Sequence, residues 1–164
     1  MLKHGIDINT QSKDSTTPLY YSLGYVGQKT NINLVKFLLA EGANPNIEHK
    51  NGHYPIHAAI NSKDIDVLQL FIKNNEDANK TGASGTTPLY FAVNYIGDID
   101  IIDYLLEQGA LPNTPVKGGF TPIYAATEND RSILAAVSVD GEVKFRLPSR
   151  FGDVREPAWS PILN

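Results

Sequence analysis

Thr17-Pro18-Leu19-Tyr20, Tyr54-Pro55-Ile56-His57, Thr87-Pro88-Leu89-Tyr90 and Thr121-Pro122-Ile123-Tyr124 are one phrase written four times. Its prolines stand 37, 33 and 34 residues apart. A second phrase keeps the same beat: Gly5-Ile6-Asp7-Ile8-Asn9, Gly42-Ala43-Asn44-Pro45-Asn46, Asn75-Glu76-Asp77-Ala78-Asn79 and Gly109-Ala110-Leu111-Pro112-Asn113. Two phrases recurring in register at this period mark a stacked-repeat architecture. Stacked repeats make extended surfaces, which points toward binding and away from an enclosed catalytic pocket.

Each unit is a pair of short helices by its local chemistry. Thr87 is placed as an N-cap, and Pro88 as the first helical residue, where its missing N–H costs nothing. Leu89, Ala92 and Val93 follow as one apolar stripe. A turn at Ile96-Gly97 leads to Asp98, a second N-cap. Ile99, Ile102, Leu105 and Leu106 make the next stripe, which Gly109 ends in the left-handed conformation. Leu34, Val35, Leu38 and Leu39 closed by Gly42 repeat this, as do Val67, Leu68, Phe71 and Ile72, with Asn75 in the glycine's place. Ala59, Ala92 and Ala126 are small enough for close helix approach. From proline to closing asparagine the first three complete units span 28, 24 and 25 residues. Unit one thus carries about four extra residues around Gly24–Asn31, either a binding-face insertion or a surface turn that tolerates length.

These phrases resemble the ankyrin repeat, with its Gly-x-Thr-Pro-Leu-His-x-Ala-Ala and Leu-Leu-x-x-Gly-Ala-x-x-Asn stretches, over roughly residues 1–130. The resemblance implies an all-α solenoid of antiparallel helix pairs with hairpin-like loops. The expected division is a partial repeat at 1–12, repeats at 13–47, 48–80 and 81–114, and a truncated repeat at 115–130. It also implies a non-enzymatic module that binds a protein partner with its concave face and loop tips. The contact positions are then Lys13, Asp14, Thr16, Tyr25, Lys50, Asn51, His53, Asn61, Ser62, Ser84, Thr86, Asn94, Tyr95, Lys117 and Phe120. Tyr25, Tyr95 and Phe120 are the favoured anchors, because aromatics dominate hot spots. His57 fills the family's histidine position, whose role is structural hydrogen bonding.

The pattern breaks near residue 130. Residues 1–130 hold nine lysines, no arginine and fourteen carboxylates; residues 131–164 hold four arginines, one lysine and four carboxylates, moving the net charge from −5 to +1. Asp140-Gly141, flanked by Val139 and Val143–Leu147, signals a β-hairpin. Ile133, Leu134 and Val137 also have the spacing of a helix that would complete unit four, and the spacing favours that helix over Arg131–Ser138. Ser138-Val139-Asp140-Gly141-Glu142-Val143-Lys144 and Gly152-Asp153-Val154-Arg155-Glu156-Pro157-Ala158-Trp159-Ser160-Pro161 resemble the extreme C-terminus of TolB, the periplasmic β-propeller of the Gram-negative Tol–Pal system. The segment 131–164 is therefore expected as a TolB-like tail of strand or irregular structure, and a bacterial source is expected with it. The alternative function is an envelope component or a nonfunctional fusion remnant. The half unit at Met1 fits a fragment or gene remnant.

Composition narrows the function classes. There is no cysteine, hence no disulfide, thiolate metal site or cysteine nucleophile. A net charge of −4 disfavours nucleic acid. No apolar run is long enough for a membrane span, and no secretory signal pattern appears. A cytoplasmic protein, or one secreted into a host cell without such a signal, is expected. His49, His53 and His57 are spaced by four, but Gly52 and Pro55 interrupt any helix that would align them on a metal. Asp64, Asp66, Asp98, Asp100 and Asp103 sit at helix starts, where capping and the dipole explain them. No catalytic residue, metal, cofactor or small-molecule substrate is expected.

Overall fold

The computed structural model describes residues 7–24, 29–73, 77–82, 85–128, 135–137 and 143–146. Every Thr-Pro phrase starts a helix at its proline: α1 (Pro18–Ser22), α3 (Pro55–Asn61), α5 (Pro88–Phe91) and α7 (Pro122–Glu128). The hydroxyls of Thr17, Thr87 and Thr121 accept the N–H of Tyr20, Tyr90 and Tyr124 at 3.1, 3.0 and 3.2 Å. Unit two has Tyr54 in place of threonine, and there the exchange runs backwards. The His57 Nδ1 accepts the backbone N–H of Tyr54 at 3.1 Å.

The second helices are α2 (Ile32–Ala40), α4 (Ile65–Lys73) and α6 (Ile99–Glu107). Asn31 caps α2 through Leu34 N–H, Asp64 caps α4 through Asp66 N–H, and Asp98 caps α6 through Asp100 and Ile101 N–H. At the other end of α2, Gly42 is left-handed (φ 88°). Ala43 N–H reaches back to Leu38 O at 2.9 Å and Gly42 N–H to Leu39 O at 3.2 Å, a Schellman closure. Gly109 and Ala110 repeat it against Leu106 and Leu105. The Asn75 expected to do the same in unit two lies outside the described residues.

α1, α3 and α5 each pack on their own second helix, and α1, α3, α5 and α7 touch in series, as α2 touches α4. This is the expected all-α ankyrin solenoid. Leu19, Ile56 and Leu89 are the buried leucine or isoleucine of the phrase, and Ala59, Ala92 and Ala126 lie in the helix contacts. Val67, Leu68 and Phe71 of α4 are completely buried. In α2 and α6 the buried seam is rotated from the expected stripe. Val35 and Leu38 are buried while Leu34 is 38% exposed; Ile101, Ile102 and Leu105 are buried while Ile99 is 40% exposed. Ile99 sits about 120° around the helix from Leu105, beyond the edge of a stripe about 100° wide.

The 25-residue span of unit three against 24 in unit two has a local cause. Between Pro88 and Asp98 there is one residue more than between Pro55 and Asp64. The first helix absorbs it by widening into a π turn, Ala92–Ile96, closed by Gly97 N–H on Ala92 O at 2.8 Å.

Beyond the stack, β1 (Ala135–Val137) and β2 (Val143–Arg146) form an antiparallel pair, Ala136 opposite Phe145. The strand expected at 143–147 is present at Val143–Arg146, its partner is Ala135–Val137, and the helix expected over Arg131–Ser138 is corrected at 135–137. Strand pairing satisfies backbone groups that a single helical turn would leave open. The Val139 and Asp140-Gly141 turn lies outside the described residues.

Units are tied together by backbone-level contacts between their loops. Asn9 Oδ1 accepts Asn44 N–H at 2.7 Å. Asn79 Oδ1 accepts Leu111 N–H at 2.7 Å while its Nδ2 donates to Gly109 O at 2.9 Å. At Gly82 a Cβ would fall 1.7 Å from the Gly52 carbonyl oxygen. Asn79→Ala, losing two bonds to the next unit, is expected to cost about 1–2 kcal/mol in urea unfolding. Gly82→Ala, which forces two loop backbones apart, is expected to cost at least as much, about 1–3 kcal/mol. A neutral Gly82→Ala would contradict the loop contact.

Candidate functional site

The surface that the resemblance assigns to binding is built by first helices and the loops before them. Loop tips touch from unit to unit: Lys50 N–H meets Asp14 O at 3.3 Å, and the Lys50 ammonium pairs with the Asp14 carboxylate. The Lys50 side chain is exposed and the Asp14 side chain is about half in water, so this pair sets loop register more than it adds stability. Lys13, Lys117, Asn51 and Asn61 are exposed as well. Asn51 is partly committed, since its Oδ1 accepts His53 N–H at 3.0 Å.

Several expected contact residues turn out to hold the scaffold. Thr86 is 7% exposed, and its carbonyl accepts His57 Nε2–H at 3.1 Å, so its side chain is withdrawn from the surface. Ser62 donates to Ala59 O at 2.6 Å and accepts Asp64 N–H, bracing the turn before α4. Thr16 and Asp14 are half-buried, with Thr16 N–H on Ser12 Oγ. Asn94 is half-buried in the π turn. Tyr25 and Ser84 lie outside the described residues.

An aromatic ladder dominates the middle of this face. His57 is buried; the His53 ring stacks on it at 5.2 Å, and Phe91 stands edge-on to both, at 5.1 Å from His53 and 5.4 Å from His57. Tyr95 rests on Phe91 at 5.1 Å and is 59% exposed. Phe91 is supplied by α5 and Tyr95 by the π turn, four residues on. The widened turn therefore decides where the Tyr95 ring lies. Tyr54 is covered by the Lys80 ammonium, 4.3 Å above its ring. One unit further, Phe120 and Tyr124 pair at 5.2 Å, 47% and 45% exposed.

Sequence reasoning named Tyr95 and Phe120 but missed Tyr124, and Tyr21 at 52% exposure. Tyr124 belongs to a Thr-Pro phrase and Tyr21 directly follows one. The phrase itself carries no signal for this: Tyr20, at the place of Tyr124, is 4% exposed, while Tyr124 is 45% exposed. The histidine trio does not converge on a metal. His57 has both ring nitrogens engaged by backbone, and the His49 ring stacks on Tyr20 at 4.6 Å with Nδ1 on Asn51 N–H. Burial, then the neighbouring His53, push His57 down to about 4; burial, then His49, lower His53.

Phe91→Ala, which removes the ring joining two units, is expected to lower stability by about 3 kcal/mol or more. Tyr95→Ala is expected to stay within about 1 kcal/mol, since most of that ring is in water. Thermal unfolding of the two variants side by side separates support from presented surface.

The profile described as ankyrin repeats in three copies matches residues 23–116. The chain is 34% identical over 150 residues to an ankyrin repeat protein of fowlpox virus, covering 88% of this chain and 24% of that one. It is 32% identical over 111 residues to human transient receptor potential cation channel subfamily A member 1, covering 67% of this chain and 10% of the channel. A stretch of 59 residues is 63% identical to the Tol-Pal system protein TolB of a Marinomonas species, covering 35% of this chain and 14% of that protein. The chain thus spans a quarter or less of the length of these curated relatives.

Proposed function

This chain belongs to the ankyrin repeat family, a family of protein–protein interaction modules, and we propose that its partner docks across the loop tips and first helices of units two to four. The observation that carries this is the pair of exposed aromatic platforms, Tyr95 on Phe91 and Phe120 with Tyr124. Each ring is held by a second ring, so it presents rigid amphipathic area at low entropic cost. The exposed Lys50, Asn51, Asn61 and Lys117 of the same units supply the polar rim that such a centre needs. His53 contributes from the side as a half-buried edge, while Thr86 and Ser62 contribute by holding loops in place.

The TolB-like stretch supports a bacterial source, and with it a finer reading in which the module is an effector acting on host proteins. Fractionation of the producing cell and its host separates this from an envelope role: recovery with the periplasm would favour the envelope reading. Among the described residues no helix is long and apolar enough to cross a membrane.

Tyr95→Ala and Phe120→Ala are each expected to weaken crosslinking to the partner by tenfold or more, about 1.4 kcal/mol, with the fold retained. Lys13→Ala is expected to change capture less than threefold. Unchanged capture by both aromatic variants would remove this face from consideration.

A further inference from the structure

The junction of units two and three rests on one imidazole with no room for a second proton. The Tyr54 N–H can only donate and the Thr86 carbonyl can only accept, so His57 is the neutral tautomer with hydrogen on Nε2. A proton added at Nδ1 would face the Tyr54 N–H across 3.1 Å, donor against donor. The charged ring would also lie against the His53 imidazole, 5.2 Å away, and the edge of Phe91. His57 is 1% exposed, so water cannot solvate that charge where it stands. Once protonated, the ring is stable only outside the junction. Its departure takes the Thr86 hydrogen bond and the Phe91 packing with it.

We propose that this junction is an acid-sensitive latch, in which protonation of His57 expels its ring and uncouples units one and two from units three and four. Stacked repeats make this consequential, because the stack holds only through nearest-neighbour interfaces. The junctions on either side are built differently. In unit one the corresponding phrase residue is Tyr20, stacked on His49 with its hydroxyl 3.4 Å from Asn51 Nδ2; in unit three it is Tyr90. Neither phenol gains a proton in mild acid.

The charged and titratable groups facing the latch are few. Glu48 acts on His53 and raises its proton affinity, while His49 opposes it. Lys80 sits over Tyr54, and Tyr95 lies behind Phe91. The sign follows from the direction of the shift. With the folded His57 held near 4 against 6.5 for the free side chain, only the unfolded chain takes up the proton between those values. Stability is therefore full above pH 6.5 and falls as pH drops toward 4, approaching tenfold in the folding constant per pH unit.

The test is urea unfolding of the whole chain at pH 7.5 and pH 5.5, a window in which ordinary carboxylates stay ionised. The unaltered chain is expected to lose several-fold to tenfold in its folding constant. His57→Gln, which cannot titrate, is expected to be weaker at pH 7.5 and to lose clearly less than the unaltered chain across the window, keeping only the smaller slope that the lowered His53 contributes. Should that variant fail to fold, an NMR titration of the unaltered chain decides. The His57 ring is expected to stay neutral below pH 6 while the amides of 86–97 lose protection ahead of those in α1 and α2. A ring that titrates near 6.5 with the stack intact overturns the proposal. So does a stability that is flat with pH, or protection lost first at α1.

Discussion

Neighbour-to-neighbour burial is the constraint on which everything else in this molecule depends. A five-residue α1 with a nine-residue α2 is far too short to persist alone, since isolated helices need about 12–15 residues even to be marginal. Leu19, Ile56 and Leu89 are each buried only because another unit closes over them. Full burial of such a side chain is worth about 1.5–3 kcal/mol, and here it is delivered across unit boundaries. The small residues Ala59, Ala92 and Ala126 let the helices approach closely enough for this. Directional contacts then fix the register that burial alone leaves loose: Asn9 to Asn44, Asn79 to Gly109 and Leu111, and His57 to Thr86.

The repeat itself was plainly legible, because capping and closure are local chemistry. Thr17, Thr87, Thr121 and Asp98 do what their residue types and positions require, and Gly42 and Gly109 end helices as such glycines do. What was not legible is anything decided by a neighbour 30 residues away. Thr86 looked like a surface threonine and is buried, because His57 of the previous unit draws its backbone inward. Ile99 looked like core and is exposed, because it lies off the seam that Ile101, Ile102 and Leu105 bury. The closing asparagines were recognisable as a motif, yet their work as inter-unit bridges is invisible until two units are set side by side. At 135–137 the apolar spacing favoured a helix, and pairing with the strand at Val143–Arg146 overrode it.

Unit three shows how a repeat accommodates change without losing register. An extra residue in a helix must either rotate everything after it by about 100° or be absorbed locally. The π turn at Ala92–Ile96 absorbs it, and Asp98 still caps α6 as Asp64 caps α4. Ala92 and Val93 remain in the core while Tyr95 is lifted onto Phe91. The widened turn weakens helix geometry at one point and in exchange moves an aromatic ring outward. This is the usual way a helix spends local regularity on a surface feature.

That placement ties the presented surface to the junction beneath it. Tyr95 leans on Phe91, and Phe91 leans on His53 and His57, so the outermost ring and the buried imidazole share one support. A partner that presses on Tyr95 must favour the arrangement in which Phe91 is seated. Phe91 is seated only while His57 stays neutral between Tyr54 and Thr86. By linkage, such a partner would oppose the loss of the junction, and loss of the junction would weaken the partner by the same factor. The proposed binding face and the stability of the stack are therefore not separable properties in this chain, because one column of four rings carries both.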